Sequence, residues 1–230
     1  MHIPDGFIDV PVSIAAGAVA VAGVAICIRG ARRNLDERIA PLAGLTAAFI
    51  FAVQMLNFPV AAGTSGHLLG GALAAILVGP YVGALAVTTV LVVQSLLFAD
   101  GGLSALGLNV INMALVTALV GWLVFRALVR VLPRGRSSIM AAAAVAAFSS
   151  VPAAALAFTA EYAFGGTASF SFGQVLIAMT GVHVLIGIGE AVITGLTVGA
   201  LLATRPDLVY GARGMMPRLE LRSGVPVPVA

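Results

Sequence analysis

Long apolar stretches, separated by short polar or glycine- and proline-containing breaks, run from one end of the chain to the other. Seven of them have the length of a transmembrane helix, or of a shorter helix held inside a membrane bundle. They lie near residues 11–28, 41–57, 67–79, 81–98, 106–129, 139–160 and 173–203. The pattern predicts an all-α integral membrane protein in which residues 1–203 form a single seven-transmembrane-helix bundle. We expect residues 204–230, which end in PVPVA, to form a cytoplasmic tail of low order.

The break between the third and fourth stretches decides the number of spans. Gly79-Pro80 falls there, and a proline inside a helix loses a backbone hydrogen bond and clashes with the preceding turn. The alternative is one long kinked helix over 67–98, which would leave six spans instead of seven.

The basic residues separate these alternatives, because they follow only some of the stretches. All twelve are arginines, found after the first, fifth and seventh stretches: Arg29, Arg32, Arg33, Arg38, Arg126, Arg130, Arg134, Arg136, Arg205, Arg213, Arg218 and Arg222. Seven spans place all of them on one side of the membrane, whereas six spans divide them. Since basic residues gather on the cytoplasmic side, we expect seven spans with a cytoplasmic C-terminus. The N-terminus and the loops 57–66, 99–105 and 161–172 are then outside.

The composition agrees with a membrane protein and excludes several other classes. Apolar residues make up 60% of the chain and charged residues 9%, whereas an ordinary soluble domain has about 45–50% and about 25%. Without lysine, the chain contains no GxxxxGK[ST] loop and therefore no P-loop ATPase motif. The net charge of +3 comes from the arginines that mark topology, so it does not indicate a nucleic-acid partner. The single cysteine, Cys27, excludes a disulfide framework and a CxxC metal site within the chain.

The first two residues have the most specific chemistry in the sequence. MHIPDGFIDV lacks the basic segment of a secretory signal, so we expect this terminus to be the mature one. The α-amine of Met1, the amide nitrogen of His2 and Nδ1 of His2 can then close a five-membered and a six-membered ring on one metal ion. Ile3 supplies no side-chain donor, which leaves the fourth corner of a plane open. Square-planar nitrogen sites suit Ni(II) and Cu(II).

His67 is the candidate for that fourth corner. Residues 3–6, Ile-Pro-Asp-Gly, have the composition of a turn, which would fold the first residues back toward the bundle. His67 begins the third stretch on the same outer side as the N-terminus. An ionisable side chain inside a membrane is a functional candidate by default, although a structural histidine with a hydrogen-bond partner remains the alternative.

Other polar residues lie within or at the ends of the stretches. His183 and Glu190 are seven residues apart and therefore share a face of the last stretch. They are candidates for a metal way-station, a proton-linked gate or a contact with a coupling subunit, or they are satisfied by buried polar neighbours. The full set of candidates for a supporting or gating role is Asn57, Ser65, Gln94, Asn109, His183 and Glu190.

Five segments in a fixed order resemble one known family. They are MHIPDG at 1–6, LNFPVAAGTSGHLLGG at 56–71, GP at 79–80, DGGLSALGLNVINM at 100–113 and HVLIGIGEAVIT at 183–194. Together they resemble the CbiM/NikM family, the substrate-binding membrane components of energy-coupling-factor transporters for cobalt and nickel. The resemblance implies a seven-helix bundle whose N-terminus dips into its centre. It also implies a metal ion held by the Met1 amine, the amide nitrogen and imidazole of His2, and the imidazole of His67.

The same resemblance implies a transport component with no catalytic cofactor, which binds Ni(II) or Co(II) as its substrate in a bacterial or archaeal cytoplasmic membrane. Its partners would be a membrane coupling subunit, two ATPase subunits and a small accessory membrane subunit. MHIPDG is similar to the nickel-type members, whereas cobalt types more often read MHIMEG, so we lean slightly to nickel.

Two other functions fit parts of the sequence. Residues 63–66 match the GxSG pattern of rhomboid-type intramembrane proteases, and Ser65 with His183 would form a catalytic dyad. That interpretation leaves MHIPDG and His67 without a role. The other alternative is a stand-alone metal channel, which would need no partner subunit.

Overall fold

The computed structural model describes residues 1–33, 39–59 and 65–215 of the chain. Seven helical segments follow one another in these residues, labelled α1 to α7: Val10–Ala31, Ile39–Gln54, Gly71–Val78, Pro80–Leu97, Leu106–Val131, Arg136–Gly165 and Phe172–Thr204. Two short strands, β1 (Phe58–Pro59) and β2 (Ser65–Gly66), pair antiparallel between α2 and α3. Within α5, residues Val110–Val116 are π-helical.

Five of these helices, α1 and α4 to α7, are long and apolar enough to cross a membrane. They agree with five of the predicted stretches, which confirms a multi-pass helical membrane protein. Helix α2 is shorter, with 16 residues, and ends at Gln54, whereas the apolar pattern continued to 57. Its last residues give way to the turn that leads into β1.

The predicted start of the third stretch at 67 is wrong. Helix α3 begins only at Gly71 and has eight residues, because residues 65–66 pair with 58–59 and residues 67–70 remain non-helical. Gly70 has a φ of +79°, a left-handed conformation that glycine adopts without steric cost. His67 therefore lies in a loop that precedes the N-terminal end of α3, and not within a helix.

The break between α3 and α4 is where the sequence placed it. Gly79 has a φ of +91°, and Pro80 is the first residue of α4. The chain then folds back so closely that a Cβ on Gly83 would lie 2.6 Å from the Ala75 nitrogen. The two helices therefore form a hairpin, and the single kinked helix over 67–98 is excluded.

The described core has two main clusters, one at each end of the bundle. The first surrounds the N-terminal residues and contains the first half of α5, the second half of α6 and the start of α7. The second contains the ends of α1, α5 and α7 and the start of α6. The described arginines belong to this second end: Arg29, Arg32, Arg33, Arg126, Arg130, Arg134, Arg136, Arg205 and Arg213. Arg38, Arg218 and Arg222 lie outside the described residues.

The first residues after α7 pack against this second end. Two short 3-10 turns, Pro206–Leu208 and Tyr210–Ala212, follow the helix. Val209 is fully buried, and the Tyr210 ring lies 5.7 Å from the Trp122 ring. Residues 216–230 of the predicted tail lie outside the described part of the chain.

Candidate metal centre

The N-terminal segment turns back into the bundle, as its turn residues predict. Gly6 has a φ of +75°, and the Phe7 amide donates to the Pro4 carbonyl. The side chains of Met1 and Ile3 are fully buried. The first atoms of the chain therefore lie inside the protein, where water does not compete for them.

Asn109 fixes this segment by pairing with the backbone of Ile3. The Ile3 amide donates to Asn109 Oδ1 over 2.8 Å, and Asn109 Nδ2 donates to the Ile3 carbonyl over 3.2 Å. That carbonyl also accepts from the Gly102 amide over 2.9 Å. Asn109, at the start of α5, satisfies both backbone groups of a buried residue and so fixes the position of the neighbouring His2.

Two connections at the same end of the bundle hold the residues that follow. Asp5 Oδ1 accepts from the amide and the hydroxyl of Ser104 at 2.7 and 2.6 Å. On the other side, Ile8 pairs with Gly166, and the Thr167 hydroxyl donates to the Gly6 carbonyl over 2.7 Å. The N-terminus is thus bound to the α4–α5 loop and to the end of α6.

The imidazole of His2 is 4% exposed and is oriented by one hydrogen bond. Its Nε2 lies 3.1 Å from Gln94 Oε1. With this amide assignment, Nε2 carries the proton and Nδ1 is left with a lone pair. Nδ1 has no hydrogen-bond partner in the described residues, and it is the atom that closes the six-membered chelate ring.

His67 shows the complementary arrangement. Its Nδ1 donates to the Leu68 carbonyl over 2.8 Å, which leaves Nε2 as the unprotonated atom. That Nε2 is buried and has no hydrogen-bond partner in the described part of the chain. A hydrogen bond at one ring nitrogen fixes which nitrogen is available to a metal.

The loop that carries His67 is fixed by two helices. Glu190 Oε1, on α7, accepts from the amides of Leu69 and Gly70. Gln54, at the end of α2, donates its Nε2 to the Leu69 carbonyl over 2.7 Å. Glu190 and Gln54 therefore hold the backbone two to three residues after His67, and neither lies among the ligand atoms.

The two imidazoles have the spacing expected for neighbouring ligands of one ion. Their ring centroids are 4.4 Å apart. Two imidazoles whose metal–nitrogen bonds are about 2 Å long and at right angles to each other have ring centroids about 4.5 Å apart. A chelate formed by Met1 and His2 would occupy three corners of a plane, and the remaining corner would adjoin Nδ1 of His2. The ring spacing is therefore the one that corner requires.

Burial keeps these donors in the form that binds metal. It lowers the pKa of the Met1 α-amine well below its ordinary value. Burial, with the nearby α-amine, lowers the pKa of His2 to about 3 and the pKa of His67 well below its usual range. Nitrogen ligands must be deprotonated to bind, so both imidazoles are ready at neutral pH.

Asp100 was not among the candidates that the sequence offered, and it lies beside the candidate donor His2. Its Oδ1 is 3.1 Å from Nδ1 of His2, and its Oδ2 accepts from Nδ2 of Asn57 over 3.3 Å. Burial raises the pKa of Asp100 above its ordinary value. Asp100 belongs to the DGG sequence after α4. In the sequence alone, an aspartate at that position cannot be distinguished from one in an exposed loop.

His183 and Ser65 differ from the proposed ligands. His183 is fully buried on α7, its Nδ1 bonds to the Met179 carbonyl over 2.7 Å, and its Nε2 is unpartnered among the described residues. The described ring contacts pair His2 with His67, not with His183. Ser65 belongs to β2, but its side chain lies outside what the structure describes.

Side chains alone do not form a metal site here. Within residues 1–33, 39–59 and 65–215, no three His, Cys, Asp or Glu side chains come together in a group that could hold an ion. A site at the N-terminus would therefore need main-chain donors, which are the atoms that the buried Met1 and His2 supply.

The described residues form a multi-pass helical membrane protein whose N-terminus is buried in the bundle. The chain belongs to the CbiM family, described as the cobalt uptake substrate-specific transmembrane region, which it matches over residues 2–208. These residues include nearly all of the predicted helical bundle. The family resemblance found in the sequence is confirmed.

Several known proteins are similar to this chain over most of its length. A putative fused nickel transport protein, NikMN, from Archaeoglobus fulgidus is 43% identical over 91% of the chain and 68% of its own length. A putative metal transport protein from Haloquadratum walsbyi is 40% identical over 91% of this chain and 94% of its own. The cobalt transport protein CbiM of Geobacter sulfurreducens is 34% identical over 91% and 61%. All three names are those of transport proteins.

The fold is also found in solved structures. A crystal structure described as a truncated transition metal transporter superimposes with a TM-score of 0.81 at 31% identity, covering 88% of this chain and 99% of that one. A second, described as a transition metal transporter, gives a TM-score of 0.82 at 30% identity, covering 88% and 93%.

Proposed function

We propose that this chain is the metal-binding membrane component of an energy-coupling-factor importer and binds one Ni(II) or Co(II) ion as its substrate. Four nitrogens hold the ion in a plane: the Met1 α-amine, the His2 amide nitrogen, His2 Nδ1 and His67 Nε2. The observation on which this rests is the pair of buried imidazole nitrogens without hydrogen bonds, on rings 4.4 Å apart, beside a buried N-terminus.

The proposed plane requires the His2 amide to lose its proton, which passes to water as the ion binds. Ni(II) favours this geometry because four nitrogens in a plane suit it, and low-spin Co(II) accepts the same donors. The MHIPDG sequence tilts the assignment slightly toward nickel, as does the name of the archaeal relative.

Transport would depend on other subunits, because this chain has no P-loop ATPase motif. We expect a membrane coupling subunit, two ATPase subunits and a small accessory membrane subunit. The archaeal relative supports a further component, since it is named a fused protein and the matched part covers 68% of it. The arginine-bearing end would face the cytoplasm in a bacterial or archaeal cytoplasmic membrane, with the N-terminus outside.

The test is to move the amine away from His2. Three alanines inserted between Met1 and His2 move the histidine to position five, or to position four if the initiator Met is removed, and in neither case can it complete the chelate; acetylation of the unmodified terminus removes the basic amine without changing the sequence. We expect both changes to abolish retention of Ni(II) and Co(II) by the purified protein, measured by metal analysis. We also expect the unmodified protein to show the visible absorption of planar low-spin Ni(II).

The matched control adds residues at the other end of the chain, after Ala230, and should leave binding unchanged. If the acetylated protein retains metal with the same affinity and spectrum, the α-amine is not a ligand. If the unmodified protein binds neither metal, the proposed function itself is wrong. Uptake into liposomes by this chain alone would instead favour the stand-alone channel.

A further inference from the structure

Asp100 is the one carboxylate described in contact with the proposed donors. Its Oδ1 lies 3.1 Å from Nδ1 of His2, and its side chain is 15% exposed where that of His2 is 4% exposed. The Asp100 side of the centre is therefore more open to solvent than the imidazole of His2. An ion that approaches from that side reaches a carboxylate oxygen before it reaches a nitrogen.

The distance between Asp100 Oδ1 and His2 Nδ1 is the one expected for two atoms bound to the same ion, and the two atoms do not form a hydrogen bond. Nδ1 of His2 has no hydrogen-bond partner among the described residues despite the short distance. Two ligands that lie about 2.0–2.2 Å from one ion, at right angles to each other, are about 3 Å apart. Asp100 Oδ1 and His2 Nδ1 can thus bind the same ion at one moment.

The orientation of Asp100 is built into the fold. Asn57, just after α2, donates to Oδ2 over 3.3 Å and leaves Oδ1 toward His2. The Asp100 amide donates to the Gln94 carbonyl over 3.1 Å. Ala99 has a φ of +53°, a conformation that non-glycine residues adopt at a cost and that often marks functional sites.

An oxygen ligand suits the first encounter better than the final plane. A hydrated divalent ion is attracted by a negative charge, and such attraction raises association rates by about 10- to 1,000-fold. The proposed final plane already has four nitrogens, and the amine and both imidazoles in it are neutral donors. A carboxylate at the outer face can therefore speed capture without taking part in the finished site.

We propose that Asp100 is the capture residue of the metal centre: its carboxylate binds the arriving divalent ion first and passes it to His2 Nδ1. This inference rests on the proposed function, and it adds a kinetic step that the four-nitrogen site does not contain. In that step a carboxylate–metal bond forms, water leaves the ion, and the carboxylate bond is then exchanged for bonds to nitrogen.

The experiment compares Asp100→Asn with the unmodified protein by stopped-flow mixing with NiCl2, read from the absorption of the bound ion. Release is measured separately by mixing the loaded protein with excess chelator. We expect the variant to bind about tenfold more slowly or slower still and to release the ion more slowly by a similar factor, while the stoichiometry and final spectrum stay the same. The dissociation constant then changes little, because a group that acts only during capture changes both rates alike.

Asp207→Asn is the matched control, since it removes an equal charge from an exposed residue that pairs with Arg205 at the other end of the bundle. Its association rate should equal that of the unmodified protein. A second test needs no variant at Asp100: the association rate of the unmodified protein should fall as ionic strength rises, and the fall should be smaller for Asp100→Asn.

Three results would overturn the inference. An unchanged association rate in Asp100→Asn would show that the carboxylate does not capture the ion. A changed spectrum, or a folded variant that binds no metal, would make Asp100 part of the finished site. A rate in the unmodified protein that is independent of ionic strength would exclude electrostatic capture. In each case the proposed function stands as long as the unmodified protein binds the ion.

Discussion

At the scale of single residues, the three histidines resemble each other closely. Each is buried, and each has one ring nitrogen bonded to an oxygen and one without a hydrogen-bond partner in the described residues. What separates them is the ring contact described between His2 and His67. The rings of His2 and His67 are 4.4 Å apart and tilted by 31°, whereas His183 is anchored to its own helix through the Met179 carbonyl.

This difference gives a direct test of the ligand set. We expect His67→Asn to weaken Ni(II) binding by more than about a hundredfold, because the loss of a ligand costs more than the 10- to 100-fold typical of a supporting partner. The planar absorption should disappear with it. His183→Asn should keep that absorption, since its ring is not one of the four donors. Titration of each purified variant with Ni(II), followed by visible spectroscopy, measures both.

The opposite result for the two variants would assign the fourth ligand to a different residue. If His183→Asn loses the planar spectrum while His67→Asn keeps it, His183 completes the plane and the ring contact between His2 and His67 has another purpose. Melting curves of the metal-free variants separate this outcome from general unfolding.

The sequence predicts those parts of the site that depend on residues adjacent along the chain, and it does not predict contacts between residues far apart in sequence. The Met1–His2 chelate follows from covalent connectivity, so it can be found without any fold. Asn109 and Gln94 could be named as supporting residues because a polar group in an apolar stretch needs a partner. Asp100 could not be found this way: its contact with His2 exists only because residues 1–3 fold back into the bundle.

At the scale of secondary structure, the apolar pattern predicts long helices well and their irregular ends poorly. Residues 67–78 are largely apolar, so the apolar pattern does not separate the non-helical 67–70 from α3, and the one local signal at the boundary is Gly70-Gly71, a dipeptide typical of turns. The start of that helix is decided by contacts from elsewhere in the chain, in which Glu190 and Gln54 bond to the backbone of Leu69 and Gly70. The π-helical stretch of α5 likewise has no signature in the pattern.

The α4–α5 loop must approach the N-terminal segment closely, which a glycine test can probe. A Cβ on Gly102 would lie 2.3 Å from the Asp5 nitrogen and 2.6 Å from Asp5 Oδ1, so Gly102→Ala pushes the two segments apart. We expect it to lower the melting temperature of the purified protein and to weaken Ni(II) binding at least tenfold, because the added methyl group would strain the bond from the Gly102 amide to the Ile3 carbonyl.

Gly173→Ala is the matched control for that substitution. Nothing lies within 4 Å of a Cβ at Gly173, in the first turn of α7, so alanine there should leave Ni(II) binding unchanged. It should stabilise the protein slightly, by about 0.4–1 kcal/mol, through the entropy of the unfolded chain. Equal effects of the two substitutions on metal binding would show that the Gly102 contact does not position the N-terminus.

At the scale of the whole molecule, the two ends of the bundle differ in chemistry. One end holds the buried N-terminus and the connections around Ser104 and Thr167. The other holds the described arginines and the turns that follow α7. Positive residues at one end orient a membrane protein, so the metal centre is predicted to open to the outside and the arginine end to the cytoplasm.

Two serines of the same size and exposure test this orientation. Ser169 lies between α6 and α7 at the metal-centre end, and Ser137 lies in the first turn of α6 at the arginine end; both are exposed. In a Cys27→Ala background, we expect a membrane-impermeant maleimide to label Ser169→Cys in intact cells. It should label Ser137→Cys only after the membrane is permeabilised, because α6 carries the chain across the bilayer between them. If Ser137→Cys alone were labelled in intact cells, the topology would be the inverse of the predicted one. Capture of metal from the outside by Asp100 would then have no physical basis.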